Sequence, residues 1–211
     1  MTIFKSAIRD IKNTLQGARR HKDMLRTGFK RFQSTWNAFK LFPRTFPDGQ
    51  AHWDVDLKKL RKEFRDLQAM EHPDTNGDKN GEKSAENSAM LNKAYQTLRQ
   101  PLLRAQFLLK LRDGVDVTDE KMAQKVAQQE PTLLMRVLDV HEQLEEACEE
   151  RQVRELAREN RSRMSDVETQ LSEAFAKRDV ERAKQLTVEL KYWTTLDQAV
   201  REWEPEQPGK A

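Results

Sequence analysis

His72 and Asp74 stand two residues apart with Pro73 between them, and a histidine beside a carboxylate is a pair that could in principle move a proton. The chain has four histidines, His21, His52, His72 and His141, and no second carboxylate–histidine cluster adjoins this pair in sequence. A metal-dependent enzyme using His72 and Asp74 stays open as a reading, with no further residues at hand to build a catalytic site. The stretch after the pair could instead hold calcium. Asn76, Asp78, Asn80 and Gly81 fall at positions one, three, five and six of an EF-hand loop. Position one lacks its Asp, and position twelve is Asn87 where a bidentate Glu is needed, so no metal is expected. Cys148 is the only cysteine. It excludes an internal disulfide, a cysteine zinc cage and a cysteine-ligated iron–sulfur cluster within one chain.

The elements that must position His72 are helical. Pro73 cannot continue a helix and pushes His72 out of the helical region. Residues 74–81 are dense in turn-formers, so an exposed polar loop is expected there. Ahead of it, Asp54 or Asp56 is predicted to cap a helix that runs to about Met70. At 100° per residue, Leu57, Leu60, Phe64 and Leu67 fall within about an 80° arc, the expected buried stripe. Lys58, Arg61, Lys62 and Arg65 occupy a separate arc, and Asp56, Glu63 and Asp66 lie on the far side. A charged face is ordinarily only solvated. Here the cations are sorted from the anions in a row leading to His72, which points to an acidic partner surface.

Beyond the loop, Ser84 is predicted to cap a helix carrying Leu91, Ala94, Tyr95 and Leu98 on one face. The two helices should form an antiparallel hairpin with the loop at its tip. Pro101 starts another segment, in which Leu102, Ala105, Phe107, Leu108 and Leu109 cover more than one face. Burial between two domains is expected for it, with Gly114 as its end.

Charged residues make up 35% of the 211, which suits helices that each bury one stripe. No run of eighteen apolar residues exists to span a membrane. The net charge of +3 hides an asymmetry. Residues 1–40 hold ten Lys/Arg against Asp10 and Asp23, which leaves the remainder with 28 basic and 33 acidic residues. An acidic body argues against nucleic-acid binding. Residues 1–35 contain no Glu, and Phe4, Ile8, Ile11 and Leu15 are at helical spacing among Lys and Arg. Such an amphipathic, acid-poor N-terminus reads as a mitochondrial targeting segment; a basic surface helix that stays on the protein is the alternative.

Pro131 suits a first helical position, and the chain reads as helical from there to about Trp203. Val153, Leu156, Asn160, Met164, Val167, Leu171 and Ala174 keep a three-four spacing. Asp179 restarts a helix with Val180, Ala183, Leu186, Leu190 and Trp193, so a three-helix bundle is expected. A break is needed near residues 148–153, where neither Gly nor Pro marks it. On the helix from Pro131, Leu133, Val137, Val140 and Leu144 share the core face. Leu134, Met135 and Leu138 lie on a different face beside Asp139, Glu142 and Glu146. An extra apolar patch beside a row of acids looks like a docking surface, unless a second domain packs there.

Several strings together resemble the HscB family of J-type co-chaperones of iron–sulfur cluster biogenesis. They are Phe39-Lys40-Leu41-Phe42, Asp66-Leu67-Gln68, His72-Pro73-Asp74, and the run from Asn92 through Leu98-Arg99-Gln100-Pro101-Leu102-Leu103-Arg104-Ala105. His-Pro-Asp is specific to J-domains, and the Leu-Arg-x-Pro-Leu-x-Arg-Ala string to this branch. The chain departs from the pattern at Glu71, where an aromatic usually precedes the tripeptide, and at Thr75, where Lys usually follows. It also lacks the N-terminal cysteine zinc module of some animal members.

The resemblance implies an all-α protein with an N-terminal J-domain hairpin over residues 36–112. A connecting segment at 113–130, a three-helix bundle at 131–204 and a tail at 205–211 follow. It implies no cofactor and no catalytic residue. His72, Pro73, Asp74, Lys58, Arg61, Lys62 and Arg65 would engage a DnaK-type heat-shock chaperone in the mitochondrial matrix and stimulate its ATPase. Leu134, Met135, Leu138, Asp139, Glu142, Glu146 and Tyr192 would hold an iron–sulfur cluster scaffold protein, Tyr192 lying off the main stripe of its own helix. A general J-protein with another helical client is the alternative.

Overall fold

The computed structural model describes residues 36–71 and 81–204, without the side chains of 71 and 81–83. The proposed targeting segment at 1–35, the His72-Pro73-Asp74 tripeptide with its loop, and the tail at 205–211 lie outside the described residues. Every regular element among the described residues is helical: a 3-10 turn at Ala38–Leu41, then α1 (Leu57–Glu71), α2 (Gly81–Arg99), α3 (Pro101–Asp113), α4 (Glu120–Ala127), α5 (Pro131–Glu145), α6 (Glu150–Lys177) and α7 (Val180–Glu202). The described residues divide into two compact units, 36–49 with 61–71 and 81–95, and 50–60 with 96–204.

In the first unit α1 and α2 pair antiparallel. Phe64 stacks on Tyr95 at 4.1 Å, while Gln68 donates to Asn92 at 3.0 Å and accepts from Ser88 Oγ at 3.1 Å. Partners on α2 fall in number as those on α1 rise. The aromatic stretch before α1 forms one 3-10 turn, started by Asn37, whose side chain accepts from Phe39 N at 3.0 Å. Phe39, Phe42 and Phe46 are fully buried, Phe39 and Phe46 meeting edge to face at 4.9 Å.

Glu63 departs from expectation. It lies inside the unit at 1% exposure, not on an exposed far side. Its carboxylate accepts from Arg44 N at 2.8 Å, Thr45 N at 2.7 Å and Thr45 Oγ1 at 2.7 Å. The reason is the chain after Pro43, which leaves two backbone N–H groups needing an acceptor. Leu57 shows the converse error: placed in the buried stripe by spacing, it is 47% exposed. It is the first residue of α1, directly after the Asp56 cap, whose Oδ1 accepts from Lys58 N and Lys59 N at 3.0 Å each. The inward side of α1 is thus Leu60, Leu67 and Glu63. Ser84 is a third correction, since α2 starts at Gly81 and Ser84 is a buried residue within its first turn.

The second unit is built around α7, which touches α3, α4, α5 and α6. Leu186, Leu190, Trp193 and Leu196 are buried along it. Asn160, on the core stripe of α6, is fully buried and donates through Nδ2 to Trp193 O at 2.9 Å. α3, which the sequence groups with residues 36–112, packs in this unit because Ala105, Leu108 and Leu109 bury there. The break between α5 and α6 uses neither Gly nor Pro. Gln152 Oε1 accepts from Cys148 N and Glu149 N at 3.0 Å each, satisfying amides at the start of α6. Asp179 caps α7 as expected, accepting from Arg182 N at 3.0 Å. Asp119 caps α4 in the same way, and just before it Asp116 is held down to about 2 by hydrogen bonds from Lys110 and Thr118.

The run Leu98-Arg99-Gln100-Pro101-Leu102-Leu103-Arg104-Ala105 acquires a physical role in the α2–α3 turn. Pro101 opens α3 where its missing N–H costs nothing. Buried Arg104 reaches back through an η nitrogen to Leu98 O at 2.8 Å and covers Trp53 at 4.4 Å. Trp53 stacks on Phe175 of α6 at 5.5 Å, and Ser172 Oγ donates to Asp54 at 2.8 Å. Burial lowers the pKa of the Arg104 guanidinium, an effect opposed by Glu168 and Asp54. It raises that of the Glu168 carboxyl, opposed by Arg104.

Glu63→Ala leaves the buried amide of Thr45 and the part-buried amide of Arg44 without their acceptor, at a cost of roughly 1–3 kcal/mol. Amide exchange at Thr45 should accelerate and urea unfolding of the first unit should shift to lower denaturant. Unchanged exchange in the variant would mean the carboxylate does not hold the turn.

Candidate functional site

Two surfaces carry the residues that the sequence singles out. The first is α1. At 100° per residue, Glu63, Leu60 and Leu67 centre at about 270° from Leu57, whereas Arg61, Arg65, Lys58 and Lys62 centre at about 90°. The cation row therefore stands directly opposite the buried side. All four side chains are exposed, and none joins an ion pair among the described residues. Two anions of the same helix are occupied elsewhere: Glu63 is buried, and Asp66 pairs with Arg44 at 2.7 Å. Local charge on the outer face is thus unpaired among the described residues, which suits steering toward an acidic partner. The row points along α1 toward His72, Pro73 and Asp74, which follow the last described residue of the helix.

The second surface is on α5 and its neighbours. Leu133, Val137, Val140 and Leu144 are buried, as the spacing predicts. Met135 is 66% and Leu138 57% exposed, two of the four exposed large hydrophobics among the described residues, and they sit one turn apart. Asp139, Glu142 and Glu146 are exposed beside them. Leu134 and Tyr192 differ from these. Both are half-buried and pack against a small cluster formed by α4 and α7, Ala123, Val126, Ala127 and Val188. The seven residues therefore separate into an exposed group on α5 and a supported pair bridging α5 and α7.

The rotation of α5 is fixed by a polar tie that the sequence reading missed. Arg136 pairs with Glu189 of α7 at 3.4 Å, and the same Glu189 oxygen accepts from Trp193 Nε1 at 3.1 Å. Arg136 also lies over the Trp193 ring at 6.0 Å. Arg136 and Glu189 are 53 positions apart, so no local pattern announces the pairing. Among the described residues no group of three or more His, Cys, Asp or Glu could hold a metal ion. No helix there is long and apolar enough to cross a membrane.

Comparisons with known proteins converge. The family model of the HSCB C-terminal oligomerisation domain matches residues 129–201. The chain is 42% identical, over 83% of its own length and 92% of the relative's, to the J-type co-chaperone JAC1, mitochondrial, of Saccharomyces cerevisiae. It is 28% identical to the human iron-sulfur cluster co-chaperone protein HscB, over 70% of this chain and 62% of that protein. Among solved structures, the Jac1 co-chaperone from Saccharomyces cerevisiae superposes with a TM-score of 0.73 at 39% identity, covering 82% of this chain and 99% of that one.

The difference in support within the α5 surface has a measurable consequence. Met135→Ala and Leu138→Ala remove exposed atoms and should shift the unfolding midpoint by no more than surface changes do, within about 0.5 kcal/mol. Leu134→Ala and Tyr192→Ala uncover the α4 cluster and should each cost more, on the order of 1–3 kcal/mol. Equal costs by thermal unfolding would show that the two groups are not distinct.

Proposed function

The chain belongs to the HscB/Jac1 family of J-type iron–sulfur cluster co-chaperones, and we propose that it stimulates the ATPase of a DnaK-type chaperone while delivering an iron–sulfur scaffold protein to it. Its role is that of a co-chaperone and not of an enzyme; the chemistry occurs on the partner. The relatives named as mitochondrial support a mitochondrial protein. We place it in the matrix, with residues 1–35 as the targeting segment. One observation carries the chaperone half of the proposal, the cation row on the side of α1 opposite its core, unpaired among the described residues. Lys58, Arg61, Lys62 and Arg65 bring an acidic chaperone surface to the J-domain. His72, Pro73 and Asp74 then perturb a polar network that holds the chaperone inactive.

The bundle takes the client. Leu134 and Tyr192 give a supported apolar base, Met135 and Leu138 add exposed anchors, and Asp139, Glu142 and Glu146 favour basic flanks on the scaffold protein. Holding client and chaperone through separate residue sets allows both to be bound at once. Each set can then be disabled by itself.

His72→Gln or Asp74→Ala should abolish ATPase stimulation with thermal unfolding nearly unchanged. Arg61→Glu with Arg65→Glu should weaken chaperone association in a salt-dependent manner. Met135→Ala with Leu138→Ala should weaken scaffold binding by about one to two orders of magnitude while stimulation without client persists. Normal stimulation by a folded His72→Gln variant would reject the J-domain mechanism.

A further inference from the structure

Met122 is the residue of α4 that joins Leu134 and Tyr192 on their common base. All three are partly buried, and all three pack against the same cluster of small side chains on α4 and Val188 of α7. They arrive from α4, α5 and α7, so their convergence is a property of the fold and not of one helical face. α4 itself is only eight residues long, and it is pinned at its start. Asp119 Oδ1 accepts from Met122 N at 2.9 Å, and Glu120 reaches Lys191, the neighbour of Tyr192, at 4.0 Å. The backbone under Met122 is thereby fixed, while its unbranched thioether side chain can adjust to what lies on it.

Resting on the client-binding reading above, we propose that Met122 is a further contact residue for the scaffold protein, so that three helices grip it. The fitting partner segment is apolar at its centre, to cover Met122, Leu134 and Tyr192. It is basic at its flank, to meet the acids of α5, Asp139 and Glu142, which are exposed. α4 then acts as one wall of the site, and Ala123 and Ala127, both buried and both small, let that wall sit close to α7.

The test is calorimetric binding of the full chain to a purified iron–sulfur cluster scaffold protein, beside thermal unfolding of each variant. Met122→Ala should weaken binding about three- to tenfold, as the loss of one interface anchor does. Met122→Lys keeps an aliphatic stem over the α4 cluster but puts an ammonium toward a basic partner, and should weaken it further. Val126→Ala opens the cluster from its buried side; it should lower the unfolding temperature without a matching loss of affinity. Leu138→Ala should weaken binding independently of α4. Wild-type affinity in both Met122 variants, with Leu138→Ala weakened, overturns this inference and leaves the client reading standing. Wild-type affinity in Leu138→Ala overturns that reading and this inference with it. A loss in Val126→Ala equal to that in Met122→Ala would show that Met122 acts only through the fold, and would also overturn it.

Discussion

The carboxylate of Glu63 sets the orientation on which the first unit depends. It is buried because the turn after Pro43 presents the amides of Arg44 and Thr45 to it at 2.8 and 2.7 Å. A buried carboxylate with three donors is held strongly, and one without them would be costly. Satisfying it requires α1 to turn that side inward, together with Leu60 and Leu67. The remaining geometry follows from helical periodicity: whatever lies half a turn away must face outward, and there the sequence puts Lys58, Arg61, Lys62 and Arg65. A single hydrogen-bond requirement in the core thus decides which charges the helix offers to a partner.

The second unit solves a different problem, that of presenting apolar groups without collapsing them into its own core. α5 buries one stripe against the bundle, which leaves Met135 and Leu138 on the outside. The Arg136–Glu189–Trp193 tie holds that rotation. Short α4 supports Leu134 and Tyr192 from below with small side chains, keeping both half-accessible. Support and exposure are thereby divided among different residues of one surface.

Much of this was legible in the sequence, and each failure has its own physical cause. Periodicity found the core stripe of α5, the stripe on α6 that includes Asn160, the cap at Asp179 and the all-helical class. It misplaced Glu63 because apolar spacing alone cannot see a buried acceptor demanded by a distant turn, eighteen residues away at Thr45. It misplaced Leu57 because spacing does not register that the first residue of a helix lies at the edge of its buried stripe. It put the start of α2 at Ser84 because a serine ahead of an apolar stripe looks like a cap. Arg104 belongs to the Leu-Arg-x-Pro-Leu-x-Arg-Ala string, yet its hydrogen bond to Leu98 O and its place over Trp53 are visible only in three dimensions. The spacing puts Leu134 and Tyr192 off the main stripes of their helices, but their shared base joins α4 to Val188, more than sixty positions apart.

The central claim is that one chain couples a client to a chaperone's ATP hydrolysis. Single-turnover ATP hydrolysis by a purified mitochondrial DnaK-type chaperone tests it most directly. The rate is measured with this chain alone, with an iron–sulfur scaffold protein alone, and with both. The account predicts stimulation by the chain alone, and with both present a rate well above the product of the separate effects. A chain that leaves the hydrolysis rate unchanged in every combination would contradict it.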